Sequence, residues 1–249
     1  MSGHSKWATI KHKKAATDAK RGKSFTRIIK EITIAARSGG DPDGNPRLRT
    51  AILAAKGVSM PADNIKKAIM RGTGELEGGQ IEEVMFEGYG PGGAAVLVNV
   101  ATDNRNRTVS EIRHAFSKNG GNMAEQGAVA WMFERKSLIT VPGDKVTEDQ
   151  LMAIVLDAGA DDLRGGAEEW EVISPPEAHE AVQKALEASG IHPSESAAMA
   201  MVPKNLIKLE GKNAAGMLRL SEVLEDHDDV QNVYSNFDID EKELEALAQ

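Results

Sequence analysis

The chain of 249 residues contains no cysteine. That absence removes disulfides, thiolate zinc sites, iron–sulfur clusters and cysteine nucleophiles together, and it fits a reducing compartment. Aromatic residues are scarce at 4% of the chain, so the cores must be aliphatic. No apolar run approaches the roughly 20 residues that span a bilayer. The N-terminus is basic but lacks the apolar stretch of a signal peptide. The sequence holds no GxSxG, HExxH or P-loop pattern. These absences lead us to expect a soluble cytoplasmic protein without a resident cofactor.

What is present is an uneven distribution of charge. The formal net charge is -8, yet the first thirty residues carry nine Lys/Arg against one acid, Asp18. Through Arg71 there are sixteen Lys/Arg and five Asp/Glu, a net +11, whereas residues 72–249 are net -19. A basic head on an acidic body is the layout of a protein that meets a polyanion with one end and keeps the rest off it.

Within the head, Phe25, Ile28, Ile29, Ile32 and Ala36 recur at helical spacing, while Lys20, Lys23, Arg27, Lys30 and Arg37 fall on the opposite side. The pattern predicts an amphipathic helix over 20–37 with a cationic ridge. A second helix over 46–58 is expected to begin with Asn45 as N-cap and Pro46 in the first turn. A third runs over 61–71. Ahead of them lies an arm in which Lys6, Lys11, His12, Lys13 and Lys14 surround Trp7. Lysines neutralise phosphates and release counterions, and an exposed indole stacks on unpaired bases. Trp7 is open to two roles, a base-stacking ring or a hydrophobic staple for the arm. The seven-residue link 39–45 is too long for a helix-turn-helix, so backbone or shape recognition is expected.

Beyond Gly79 the pattern turns to strands. Residues 81–87 and 94–101 are β-like and joined by a loop with a formal GxGxxG at Gly88, Gly90 and Gly93. A dinucleotide site needs a helix after that loop, and a β run follows, so a glycine-rich hairpin is expected. A helix over 105–118 follows, with Thr108 and Glu111 at capping-box spacing, and then a strand over 128–133. Arg105 and Arg107 at its start suit either a second nucleic-acid contact or local pairing with Asp103 and Glu111. Residues 136–203 read βαββαβ, the ferredoxin-like plan. The remaining helix, 213–226, and strand, 230–237, cannot bury themselves and are expected to return to the first sheet.

The acidic candidates fail as catalytic sites. Asp41-x-Asp43-x-Asn45 opens like a calcium loop, but Pro46 and Ile52 stand where glycine and a bidentate glutamate are needed. His4 and His12 lack a nearby third ligand. The runs Glu82-Glu83, Asp161-Asp162, Glu168-Glu169 and 226–229 read as solvated faces, with a metal-dependent phosphodiesterase using Asp161 and Asp162 as the remote alternative.

Several segments together carry a family resemblance: Gly3-His4-Ser5-Lys6-Trp7, Ile10-Lys11-His12-Lys13-Lys14-Ala15-Ala16, Asp18-Ala19-Lys20-Arg21-Gly22-Lys23 and Asn45-Pro46-Arg47-Leu48-Arg49. So do Met60-Pro61, Asp63-Asn64-Ile65, Glu87-Gly88-Tyr89-Gly90-Pro91-Gly92-Gly93 and Thr102-Asp103-Asn104-Arg105-Asn106-Arg107-Thr108. In these segments the chain resembles the YebC/PmpR family, related to the mitochondrial translational activator of cytochrome oxidase. The resemblance implies an α+β protein: an N-terminal helical bundle followed by two α/β sandwich domains, at least one ferredoxin-like. The expected units are 1–78, 79–133 with 206–249, and an inserted 134–205. It implies no enzymatic activity and a role as a DNA-binding transcriptional regulator. The alternative it offers is a ribosome-associated translation factor that binds ribosomal RNA and relieves stalls on proline-rich sequences. Carried over residue by residue, the nucleic-acid-binding set is Lys6, Trp7, Lys11, His12, Lys13, Lys14, Lys20, Arg21 and Lys23 with Arg47, Arg49, Arg105 and Arg107, and the cationic ridge adds Arg27 and Lys30. The expected partner is DNA or ribosomal RNA, with protein partners for the acidic domains and no membrane.

Overall fold

The computed structural model describes residues 18–77, 79–166, 169–193 and 198–247, with the side chains of 18–22, 198, 241 and 245 excepted. Helices α1 (Asp18–Ala35), α2 (Pro46–Gly57) and α3 (Ala62–Thr73) pack together as the bundle. Their apolar stripes meet as the periodicity requires: Ile32, Ala35 and Ala36 of α1 and its extension are buried against Leu48, Ala51, Ala55 and Ala68. Phe25, Ile28 and Ile29 border the same cluster. The Asn45 side chain accepts from Leu48 N–H at 3.1 Å, and its amide donates to Ala35 O at 2.7 Å, so one residue caps α2 and ties it to α1. Gly72 permits α3 to approach α1, because a Cβ there would lie 2.6 Å from the Ala36 Cβ.

The first sheet contains β1 (Glu82–Tyr89), β2 (Ala95–Thr102), β3 (Asn122–Ala124) and β9 (Val230–Ser235), in the order β3-β1-β2-β9 and antiparallel throughout. Helices α4 (Arg105–Lys118) and α7 (Gly211–Glu225) cover one face. Phe86, Val96, Val98 and Val100 meet Ile112, Phe116, Met217 and Leu220 there. The glycine-rich loop is a hairpin between two paired strands, as its β flank requires. Gly88 lets α4 lie close to β1, since a Cβ there would stand 2.6 Å from the Phe116 ring.

The second sheet, β5-β6-β4-β7, comprises β4 (Phe133–Pro142), β5 (Asp162–Gly165), β6 (Glu169–Ser174) and β7 (Ala198–Pro203). With α5 (Glu148–Asp157) and α6 (His179–Ala188) it has the ferredoxin-like strand order, all antiparallel. Thr147 and Gln150 form a reciprocal capping box at α5. A parallel pair, β8 (Ile207–Lys208) with β10 (Phe237–Asp238), and the short α8 (Glu241–Leu247) complete the described chain.

Two local expectations are corrected. Residues 128–133 are not a strand of the first sheet: Ala130–Met132 is a 3-10 turn, Phe133 opens β4, and the third strand beside β1 is β3. Two backbone N–H groups of this stretch, of Val129 and Ala130, donate instead to the buried Glu87 carboxylate at 2.7 and 2.8 Å, and that of Gly127 just before it at 2.6 Å. Thr108 does not cap α4 either. Asn104 does, accepting from Arg107 N–H at 3.1 Å, and Thr108 is fully buried inside the first turn.

Candidate nucleic-acid interface

Of the fifteen cationic, histidine and tryptophan positions expected to contact nucleic acid, Lys6, Trp7, Lys11, His12, Lys13 and Lys14 lie outside the described residues. Lys20 and Arg21 fall on α1, with side chains that are likewise outside the description. The other seven are placed, and most of them meet acids of the same chain.

The ridge of α1 faces the loop after α7. Lys30 Nζ lies 2.6 Å from Asp229 Oδ1 and donates to Asp228 O at 3.0 Å. Lys23, about two turns earlier and more exposed, donates to Asp226 O at 3.0 Å and stands 3.7 Å from its carboxylate. Between them, burial lowers the pKa of Arg27, opposed by the charges of Glu225, Asp226 and Asp228. Arg107 reaches the same loop from α4, donating to Asp229 Oδ2 at 3.0 Å and to Asp103 at 3.1 Å. In the acidic run 226–229, Asp226 and Asp228 are exposed, as a solvated face requires, and Asp229 departs from it. Asp229 is only 3% exposed. Its pairing partners come from elements about two hundred and about one hundred and twenty residues earlier.

Asp229 also accepts from Thr108 Oγ1 at 2.6 Å and from Thr102 Oγ1 at 3.2 Å. Burial disfavours its charge, but hydrogen bonds from Lys30, Thr108 and Arg107 and the Lys30 charge outweigh that and hold it well below the usual carboxylate range. Glu111, His227 and Asp229 cluster closely enough to invite comparison with a metal site. Their donor atoms are already used: His227 Nδ1 accepts from Asp229 N–H at 3.1 Å, which leaves the proton on Nε2, 2.9 Å from Glu111. With Lys30 and Arg107 on Asp229, the site is an ion-paired network and does not fit a cation.

Arg47 joins α2 to α1 through Glu31 and to the first sheet through Glu83, with contacts of 2.7–3.2 Å. Hydrogen bonding to Glu31 raises its pKa further above the ordinary arginine value, against the effect of burial. Arg37 donates to Ile81 O, adding a third bond between bundle and sheet. Tyr234, on β9 at the far side of β2, has its phenol pushed up to about 12 by burial, with Arg135 opposing and Glu31 and Glu83 adding to the rise. Arg49 is exposed and, among the described residues, its side chain bonds only to backbone carbonyls of Pro42 and Asp43. Arg105 is exposed and makes no ion pair among the described residues.

The pair Asp161 and Asp162 sits in a groove of the second domain lined also by Lys136, Arg164 and Lys204. Asp161 is 2.9 Å from Lys136, and Asp162 is 2.7 Å from Arg164. Each acid already has a cation, the arrangement of structural ion pairs.

The arrangement is that of a three-part α+β protein in which a basic helical head is fastened to an acidic α/β body. Comparison with known proteins agrees with it in detail. Residues 5–75 match the TACO1/YebC protein N-terminal domain, and residues 81–237 match the TACO1/YebC second and third domain. The chain is 82% identical over its full length to a protein of Solibacter usitatus, and 64% identical over 243 residues to one of Acidobacterium capsulatum, covering 98% of each chain. Both carry the name "Probable transcriptional regulatory protein". A crystal structure of a conserved hypothetical protein, Aq1575 from Aquifex aeolicus, superposes with a TM-score of 0.82 at 45% identity, covering 90% of this chain and 92% of that one. The chain belongs to the TACO1/YebC family.

Sequence reasoning missed Glu87 and Asp229. Glu87 stands in the Glu-Gly-Tyr-Gly-Pro-Gly-Gly stretch, where the glycines drew attention and the carboxylate did not.

Proposed function

We propose that the protein is a non-enzymatic nucleic-acid-binding regulator of gene expression that acts from the cytoplasm through its basic N-terminal surface. The observation that carries this reading is the division of charge, +11 up to Arg71 against -19 after it. The names of the relatives favour transcription, and hence DNA, as the first target. The contacts fall to Lys6, Lys11, His12, Lys13, Lys14, Lys20 and Arg21, with Trp7 available to stack and Arg49 as an exposed cation of the bundle. Lys30, Arg27, Arg47 and Arg107 serve mainly to orient the head on the body, because their charge is already matched by Glu31, Glu83 and the loop 226–229. Lys23, more exposed than Lys30, is shared between the two roles. Units 1–78, 79–133 with 206–249, and 134–205 then divide the work, the two acidic units meeting protein partners.

Because no base-reading geometry is required by a cationic arm, the contact is to backbone phosphate and shape. Crosslinking the protein in cells and sequencing the recovered nucleic acid tests this. Promoter DNA supports the transcriptional reading. Ribosomal RNA replaces it with the translation-factor reading, and recovery of no nucleic acid removes both.

A further inference from the structure

The first sheet has one incomplete edge. Gly90 N–H donates to Ala94 O at 2.7 Å, extending the β1–β2 register by one pair. In an antiparallel ladder bonded pairs alternate, so the even-numbered residues of β1 bond to β2 and the odd-numbered ones point the other way. On that side Glu87 and Tyr89 face Ala124 and Asn122 of β3. Among the described residues Glu83 and Met85 face no strand, because the chain leaves the lane after Ala124 and turns at 125–127, where the Glu87 carboxylate holds Gly127. Their backbone N–H and C=O groups make no other hydrogen bond to the described backbone.

This lane, free of any described strand, is a groove of about 420 Å³ between β1 and α4. Val84, Val109 and Met123, all partly buried and packed on the core, form its apolar floor. Phe116 of α4 lies by Gly88, whereas Arg105, eleven residues earlier, lines the groove with Glu83. The helix therefore runs along the lane with Arg105 at the end away from β3. Exposed edges are ordinarily guarded by charge, proline, bulges or a covering element. Here the Glu83 carboxylate is matched by Arg47 at 3.1 and 3.2 Å, whereas the exposed Arg105, which lines the lane, has no ion pair among the described residues.

We propose that this edge is a docking site for an extended peptide that adds a strand antiparallel to β1, in the lane of β3, with an acidic group at its C-terminal end against Arg105. Three features specify the occupant. The unpaired N–H and C=O groups of Glu83 and Met85 call for a peptide backbone, and the apolar floor takes alternate aliphatic side chains. The direction set by β3 carries the C-terminus of the added strand toward Arg105, whose guanidinium suits a carboxylate. The occupant is a protein segment, so the site is separate from any polyanion contact of the head.

The test uses the full chain and a six-residue Thr/Val peptide with a free C-terminal carboxylate, followed by amide NMR and hydrogen exchange. Binding should slow exchange at the Glu83 and Met85 amides. N-methylating the alternate peptide residues that face β1 should weaken it about tenfold or more, the loss expected for removed hydrogen bonds, while methylating the other alternation should not. Amidating the C-terminus, or Arg105→Gln, should each weaken it roughly tenfold, the scale of one charge-assisted hydrogen bond. No binding at millimolar peptide overturns the proposal, as does equal sensitivity to both methylation patterns or protection at other amides. Binding that ignores both Arg105→Gln and C-terminal amidation overturns the assigned direction and anchor.

Discussion

Lys30 on α1 and Asp229 before β9 meet at 2.6 Å, joining the N-terminal bundle to the last strand of the first sheet. Both side chains are largely withdrawn from water, at 16% and 5% exposure, so the pair is not comparable to an ordinary surface bridge. Arg107, Thr108 and Thr102 supply the remaining donors to Asp229, which is what makes a buried carboxylate tolerable.

Replacing Asp229 with Asn should destabilise the protein by about 3 kcal/mol, because Lys30 would keep its charge and lose its counterpart. The acid limb should change as well. The folded pKa of Asp229 lies below the unfolded value, so its stabilisation is complete above roughly pH 4 and is lost as pH falls toward the folded value. Chemical denaturation from pH 7 down to 3 checks both points: the variant should start lower and fall less steeply in acid.

Glu87→Gln tests the carboxylate that organises residues 127–130. Burial pushes its pKa up, yet the N–H groups of Gly127, Val129 and Ala130 outweigh that and leave it below the usual range. An amide has one acceptor oxygen for three donors, so at least one of these N–H groups loses its partner, at a cost of about 1–3 kcal/mol where that group is buried. Exchange at the Val129 and Ala130 amides should accelerate. Trp131, 65% exposed with its indole donating to Ala128 O, should show lower fluorescence anisotropy in a background lacking the other two tryptophans.

Gly72→Ala should cost about 1–3 kcal/mol through overpacking, since the new methyl meets the Ala36 Cβ and the backbone at Thr33. A melting temperature equal to that of the parent would show that α1 and α3 separate freely.

The buried Tyr234 phenol should ionise only near pH 12. Ultraviolet titration of a Tyr89→Phe variant isolates it, and ionisation near pH 10 would show that the cluster of Tyr234 with Leu97, Val129, Phe133 and Met201 is open to water.

The three bundle helices were legible because their stripes repeat at helical spacing and Asn45-Pro46 marks a start. The ferredoxin-like order was legible because its elements alternate in period. The strand expected over 128–133 failed for a local reason: Ala-Val-Ala-Trp-Met-Phe has β composition, but Glu87, some forty residues earlier, takes its N–H groups. The run Glu-Asp-His-Asp-Asp at 225–229 looks the same in sequence whether it faces water or a lysine two hundred residues away. Only the fold brings α1 to it, and with it the division of the cations into those that hold the domains together and those left for a partner.

The most direct measurement is the salt dependence of duplex DNA and ribosomal RNA binding by the parent, by Lys11→Glu/Lys13→Glu/Lys14→Glu and by Lys30→Gln. For the parent, log K should fall linearly with log salt, by about 0.9 per phosphate neutralised on duplex DNA. The triple variant should bind every sequence more weakly with a shallower slope, whereas Lys30→Gln should lower stability and keep the slope. Binding of the parent that is indifferent to salt, or a slope unchanged in the triple variant, would contradict the account.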